Sequence, residues 1–342
     1  GADNINGNTG TDTLRFDGGT QRVVVNLGST SLSYDSTSVA ANSFVNSWLN
    51  GASIQTGIVT NIENVDGTSF NDTVRGNDSK NIISGADGDD YVFASLGVDE
   101  IYGGNSVNGD LVDFSLLTGL IQGSGENFNG ISVNLGGGDG AVGARFSQIV
   151  STIETTTSQV FSSIENIIGS TENDNIVGNS SKNTLRGGAG NDKIIVSTAT
   201  ESNVLDGSGG TDTVSYENYV TSGVRVNLST IVAQTIVVGT TPDIDTILEI
   251  ENIIGSTKDD IIIGSSLSNT ILSGAGNDTL KGGLGADVLD GGTGEDWAYF
   301  NDIAVSGVNI VLDTDGKSTT IETNDLKVDD EVIVSQKSEN GK

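Results

Sequence analysis

The sequence predicts an all-β fold built of stacked repeats, and three observations carry that prediction. A nine-residue pattern recurs, with glycines at the front, an acid at the sixth place and an aliphatic residue at the eighth. The composition suits thin, repetitive packing: hydrophobic residues are 35% of the 342, with 9 Phe, 6 Tyr and 2 Trp, and 48 Gly stand against 1 Pro. The chain carries a formal net charge of −31 and contains no His, Cys or Met. A folded form with that much like charge needs something cationic to offset its self-repulsion.

The repeat is plainest at 273–299, which reads SGAGNDTLK GGLGADVLD GGTGEDWAY. Aligning the sixth positions gives three blocks of five units. The first carries Asp72, Asn81, Asp90, Asp99 and, after a two-residue insertion, Asp110. The second carries Asp174, Asn183, Asp192 and, after a similar insertion, Asn203 and Asp212; the third runs unbroken through Asp260, Asn269, Asp278, Asp287 and Asp296. Asp3 and Asp12 form the end of an earlier block, so the sequence is expected to be a segment of something longer. From Ile5 and Leu14 to Leu280 and Leu289 the eighth positions are Val, Ile or Leu, and only Ala298 departs. A disordered acidic chain has no reason to keep such a column.

A glycine-led half turns, because Gly accepts positive φ without penalty. The second half is extended, placing its aliphatic residue inward and its neighbours outward. Two units then make one coil of eighteen residues, so every second turn stacks on the same side. Asp260, Asp278 and Asp296 fall in one column, and Asn269 and Asp287 in the other. Stacked strands sit about 4.8 Å apart, where two ionised carboxylates repel by roughly 3 kcal/mol at an effective dielectric near 20. A divalent ion between the layers reverses that sign, taking a carboxylate from each turn and carbonyls from the glycine-rich backbone. Without His or Cys the ligands are oxygens, which points to calcium. The apolar area per coil is too small to order eighteen residues alone, so folding is expected to be coupled to metal binding.

The blocks belong to a longer superunit. "IENV" at 62–65 and "IENI" at 164–167 and 250–253 precede each block, and "VVVNL" at 23–27, "ISVNL" at 131–135, "VRVNL" at 224–228 and "VNIVL" at 308–312 follow. The predicted organisation is the end of a block at 1–19, a β connector at 20–66, a block at 67–114, a connector at 115–168, a block at 169–216, a connector at 217–254, a block at 255–300, and a C-terminal connector or cap at 301–342. The connectors read as short strands that decorate a continuing core. "NSFVNSWLNG" at 42–51 also reads as one or two helical turns, and the tail is strand-like around "DEVIV" at 330–334.

"GGLGADVLD" resembles the GGxGxDxUx nonapeptide of the RTX (repeats-in-toxin) family. The "VRVNL" and "IENI" connectors resemble those of large bacterial RTX surface and haemolysin-type proteins. The resemblance implies an elongated fold of right-handed parallel β-roll blocks joined by strand-rich connectors. It also implies several calcium ions, held between turns by sixth-position Asp carboxylates and glycine-turn carbonyls. Proteins of this kind leave the cell by type I secretion and fold in external calcium.

Carried over residue by residue, the ligands of the third block are Asp278 and Asp296, the strongest pair, with Asp287 and Asp260, and Gly274, Gly276, Gly283, Gly285, Gly292 and Gly294 in the turns; Asp90 and Asp192, facing weaker entry turns, come next. In the first block they are Asp72, Asp90, Asp99 and Asp110 with Gly88 and Gly97. In the second they are Asp174, Asp192 and Asp212 with Gly190 and Gly210, and the stub adds Asp12. The first two units of each block lack the fourth-position Gly, and their second Asp is replaced by Asn81, Asn183 or Asn269. Those layers are expected to bind weakly or not at all, with Asn269 offering a neutral oxygen.

The function expected is structural: a calcium-rigidified stalk, surface-layer or matrix element of a secreted bacterial cell-surface protein. The alternative is the calcium-dependent module of a type I-secreted enzyme or toxin whose catalytic domain lies elsewhere. No catalytic role is expected for these residues, because Glu63, Glu165 and Glu251 recur with the superunit and an active site is rarely copied. Self-association into an array or filament is a further expectation, and a cell-surface polysaccharide another. For the latter Trp48 and Trp297 offer stacking faces, although packing is the commoner role of a single Trp. The Thr-rich "STIETTTS" at 151–158 reads as a solvated strand face. The acidic charge argues against nucleic acid and anionic membranes, and no run is apolar enough to span a bilayer.

Overall fold

Each nonapeptide folds as its spacing dictates, a turn followed by a short strand, and the strands stack coil upon coil. The structure, a computed structural model, describes residues 3–16, 21–34, 37–46, 55–122, 129–136, 143–150, 153–197, 202–236, 244–299, 308–312 and 318–323. Its regular elements are 34 strands, and no helix occurs among the described residues. The chain divides into two units, Gly1–Ile176 and Val177–Lys342.

In the first unit one ladder stacks Val23–Asn26, Thr73–Arg75, Tyr91–Phe93, Leu111–Asp113 and Asn166–Ile168, all parallel. The other stacks Thr13–Arg15, Asn64–Asp66, Ile82–Asp87, Glu100–Asn105 and Ile153–Ser162, again parallel. The register follows the repeat, pairing Val74 with Val92 and Ile83 with Ile101. Val92 pairs with Val112 across the two-residue insertion without a slip.

The second unit repeats the plan. Lys193–Ile195, Thr213–Ser215, Asn252–Ile254, Thr270–Leu272 and Val288–Asp290 stack in parallel. So do Thr184–Ala189, Val204–Gly209 and Ile244–Leu248. In the third block Arg225–Asn227, Ile261–Ile263, Thr279–Lys281 and Trp297–Ala298 form the facing ladder. Val308–Leu312 and Ser318–Thr323 pair as an antiparallel hairpin.

The eighth positions are the core. Val74, Ile83, Val92, Ile101, Val112, Ile176, Leu185, Ile194, Leu205, Val214, Ile262, Ile271, Leu280 and Leu289 are buried, as are Val65, Ile167 and Ile253 of the "IEN" strands. Val25, Val133 and Val226 of the "V-x-V-N" strands are buried too.

Two expectations change. The connectors do more than decorate the core: Val23–Asn26 and Arg225–Asn227 pair with the first strand of a block, and Ile153–Ser162 pairs with Glu100–Asn105. Of the segment 42–51, Ser43–Asn46 is a strand paired antiparallel on both sides, because Phe44 is buried when the segment alternates. Its remainder, with Trp48, lies outside the described residues, as does "DEVIV" at 330–334.

Candidate metal centre

The sixth positions form hydrogen-bonded columns. One carboxylate oxygen of each accepts the backbone N–H of the sixth residue one coil earlier. Asp72 N–H donates to Asp90 Oδ1 (2.7 Å), Asp90 to Asp110 (2.8 Å), Asp192 to Asp212 (2.8 Å), Asp260 to Asp278 (2.8 Å) and Asp278 to Asp296 (2.9 Å). On the facing ladders Asn81 N–H donates to Asp99 and Asn269 N–H to Asp287, both at 2.9 Å. Each block's first column starts on the preceding connector, with Val23, Ile131 and Val224 N–H donating to Asp72, Asp174 and Asp260. Sequence spacing alone gives the columns; the bonds explain why Asp or Asn, with its oxygen one carbon beyond Cβ, recurs there.

The second oxygen separates two kinds of turn. In the opening turns Thr68, Ser170 and Ser256 hold the second position. Their N–H groups donate to Oδ2 of Asp72, Asp174 and Asp260 at 2.5, 2.5 and 2.7 Å, and their hydroxyls to Oδ1 at 2.9, 2.7 and 2.6 Å. In the later turns the second residue has positive φ: Asn8 (68°), Ala86 (83°), Gly104 (120°), Gly188 (115°), Ser208 (67°), Gly274 (107°), Gly283 (100°) and Gly292 (75°). That conformation turns the peptide away from the carboxylate. Asn8, Ser208 and Gly292 N–H donate instead to Asn6, Asp206 and Asp290 two residues back. Oδ2 of Asp12, Asp90, Asp110, Asp212, Asp278 and Asp296 is consequently buried with no hydrogen-bond donor. Ser273, the first residue of the Asp278 turn, directs its hydroxyl to the carbonyls of Asp290 and Gly291.

The fourth-position glycines bring the turns into contact. A Cβ on Gly276 (φ +142°) would stand 2.5 Å from the Lys258 carbonyl carbon, and one on Gly294 (φ +146°) would overlap the Gly276 carbonyl oxygen. Gly88, Gly190, Gly210 and Gly285 also have positive φ, while Gly97 does not.

Burial dominates the electrostatics. It pushes Asp90 up to about 8, against the lowering effect of the Asp72 N–H, with the Asp72 and Asp110 charges adding to the rise. Burial likewise raises Asp174 to about 7 and Asp72, Asp99, Asp110, Asp212 and Asp278 to about 6. Asp260, Asp287 and Asp296 are raised for the same reason. A buried carboxylate oxygen with no donor is costly unless a cation meets it.

These turns fit calcium. They offer bare, buried carboxylate oxygens beside stacked backbone carbonyls, an all-oxygen donor set. Among the described residues no three acidic side chains converge on one point, so carbonyls must complete any shell. The Asn layers are built the other way. Asn81 Nδ2 donates to Glu63 O (2.7 Å) and Asn269 Nδ2 to Glu251 O (2.6 Å), filling with a donor the space where a cation would need oxygen. Asp99 is also satisfied from within the protein, its Oδ2 accepting from Ser95 Oγ (2.6 Å) and Gln159 Nε2 (3.1 Å).

Several column members escaped sequence reasoning: Gln159 after Asp99, Asp245 after Asn203, and three glutamates. Counting nine residues back from Asp72, Asp174 and Asp260 lands on Glu63, Glu165 and Glu251, so each "IEN" glutamate holds a sixth position. Each accepts a column N–H at Oε2, from Asp12 (2.9 Å), Asp110 (3.0 Å) and Asp212 (2.8 Å). The following Asn continues the stack: Asn64 and Asn252 Oδ1 accept the N–H of Ile82 and Thr270.

Comparison with known families identifies residues 66–101, 162–194 and 263–298 with the RTX calcium-binding nonapeptide repeat. These segments cover parts of the three blocks and, for the first two, residues of the "IEN" strand that leads into them, and the repeats bind calcium, several ions per array. Asp12, Asp110, Asp212 and Asp260 fall outside the matched segments yet stand in the same columns. Comparison with curated proteins returns no match.

Proposed function

Because the chain carries RTX calcium-binding nonapeptide repeats in a parallel β-roll, we propose that it is a calcium-rigidified structural segment of a secreted bacterial cell-surface protein, an adhesin stalk or a surface-layer or matrix element. The observation that carries this reading is the column of buried carboxylate oxygens left without donors in the later turns. Asp278 and Asp296, with the carbonyls of Gly274, Gly276, Gly292 and Gly294, are assigned as the strongest calcium ligands. Asp287 joins with Gly283 and Gly285, Asp90 and Asp110 with Gly88, and Asp192 and Asp212 with Gly190 and Gly210.

Calcium supplies the positive charge that turns the repulsion within a column into attraction. The chain's own residues do the rest: the N–H ladder fixes one oxygen of each Asp, and the positive-φ turn leaves the other bare. Supporting a structural rather than catalytic role, the acidic positions are copies of one another and already engaged in the ladder. External calcium would then set where the segment becomes rigid, since binding adds to folding free energy by mass action.

The test is a calcium titration of metal-free protein followed by far-ultraviolet circular dichroism, with magnesium as control. A steep, calcium-specific rise in β signal is expected. A β-rich spectrum without calcium, unchanged by its addition, would overturn the reading.

A further inference from the structure

We propose that the "IEN" glutamates Glu63, Glu165 and Glu251 are ligands of a terminal calcium that ends the preceding block within each column, shared with Asp12, Asp110 and Asp212. The proposal rests on the calcium reading of the columns and extends it to positions where the nonapeptide pattern is absent.

Three features recur at all three places. The Glu accepts the N–H of the preceding Asp through Oε2, standing where the next Asp of the column would stand. That Asp keeps a buried Oδ2 without a donor, and Asp110 and Asp212 are 1% and 0% exposed. The residue two before the Glu, Asn61, Ser163 or Glu249, adopts positive φ (52°, 55° and 49°). Its carbonyl oxygen and the bare Asp oxygen both pack against the glycine that opens the turn, as a carbonyl and an Asp oxygen do at Gly67 and Gly255: a Cβ on Gly7, Gly103 or Gly207 would overlap both. One bare carboxylate oxygen and a carbonyl therefore lie against one glycine, and the Glu carboxylate holds the N–H of the same Asp, so each turn gathers the oxygen donors of a hard divalent cation.

The positive-φ residue also explains how the pattern ends. Core positions Val59 and Val65, Phe161 and Ile167, and Ile247 and Ile253 are six residues apart instead of nine. A left-handed residue closes this shortened half-coil tightly enough to aim its carbonyl inward.

The molecule holds its own control. In the Asp99 column the next sixth position is Gln159, whose strand pairs Val160 with Glu100. Its Nε2 donates to Ser95 O (2.9 Å), Gly97 O (3.2 Å) and Asp99 Oδ2 (3.1 Å). An amide donor there meets Asp99 Oδ2 and two carbonyls, so no carboxylate oxygen of this layer is left bare, although Gln159 Oε1 is buried without a donor. Glu follows an Asp whose oxygen is bare, and Gln follows one whose oxygen is satisfied.

The test is the number of calcium ions bound at saturation, measured by equilibrium dialysis on the full chain and on E63Q, E165Q, E251Q and Q159E. Gln keeps the acceptor for the Asp N–H, so each Glu variant is expected to retain its β signal in calcium and bind about one ion fewer. Unchanged counts in all three overturn the proposal. Where a Glu variant loses its β signal, Q159E decides: a gain of about one ion supports the terminal site and an unchanged count overturns it. D278N separates this proposal from the reading beneath it. Ions lost in D278N but in no Glu variant defeat the terminal sites alone, whereas a wild-type chain that binds no calcium defeats both.

Discussion

The turns at Asp260 and Asp278 lie one coil apart in the same column, and one is closed while the other is open. At Asp260 the second-position Ser256 donates both its N–H and its hydroxyl to the carboxylate. At Asp278 the second position is Gly274 with φ +107°, and Oδ2 meets no donor. The coil path, the N–H ladder and the buried aliphatic column continue through both. Whether a coil depends on metal is thus decided by one residue's hydroxyl and φ, leaving the fold unaltered.

The largest effect that could break this comparison is metal removal. At a calcium concentration a hundred times Kd, one bound ion stabilises a coil by about 2.7 kcal/mol. In chelator, amide hydrogen exchange of the coils around Asp278 and Asp296 should accelerate on the order of a hundredfold or more. The opening strands Thr73–Arg75 and Ile261–Ile263, held by the hydroxyl turns and the connector strands, should lose less. Uniform loss across all coils would erase the distinction.

Paired substitutions sharpen it. D278N removes a carboxylate facing the open side and should raise the calcium midpoint on the order of tenfold, with little cost to the metal-free form. D260N turns an amide towards the Ser256 N–H and should cost about 1–3 kcal/mol with or without calcium, leaving the midpoint nearly unchanged. Denaturation of both variants in calcium and in chelator tests the crossing.

Acidity acts in the opposite sense to calcium. These carboxyls have folded pKa values above the unfolded value of 3.8, so the folded form holds its protons more tightly. Their stabilisation of the metal-free fold is fully present below that value and is lost as pH rises through about 6 for Asp278 and about 8 for Asp90. In chelator the β signal should therefore be stronger near pH ~5 than near ~8. In calcium the order should reverse, because protons and the ion compete for the same oxygens. A β signal in chelator that rises with pH would count against the assignment.

The smallest effect concerns a second ladder at the fifth positions. There Asn277 N–H donates to Asp259 Oδ1 (2.8 Å) and Glu295 N–H to Asn277 Oδ1 (2.9 Å). Asn277 is exposed, so N277A should cost about 0.5–1 kcal/mol in thermal unfolding and leave calcium binding unmoved.

The period, the parallel stacking of alternate turns and the aliphatic core were legible because spacing alone dictates them. Three features were not. The open and closed turns look alike to a reading centred on fourth-position glycines, since Ala86, Ser208 and Asn8 adopt positive φ without being Gly. Ser208 even carries the hydroxyl that closes other turns, but spends it on Asp206. The glutamates were hidden because the half-coil before each shortens to six residues, which breaks the count of nine at the place where the column continues. Gln159 had no repeat around it at all; only strand pairing over sixty residues places it beside Asp99.

The two ladders point in opposite directions, and that gives the stack a sense of time. A coil's sixth-position N–H waits for a carboxylate from its successor, as Asp260 waits for Asp278. Its fifth-position side chain already holds an acceptor out to that successor, as Asp259 does to Asn277. A coil therefore finishes its sixth-position ladder only when its successor, 18 residues on, has stacked on it. In a stack growing towards the C-terminus each coil is templated forwards and completed backwards, so the newest coil is the unfinished one.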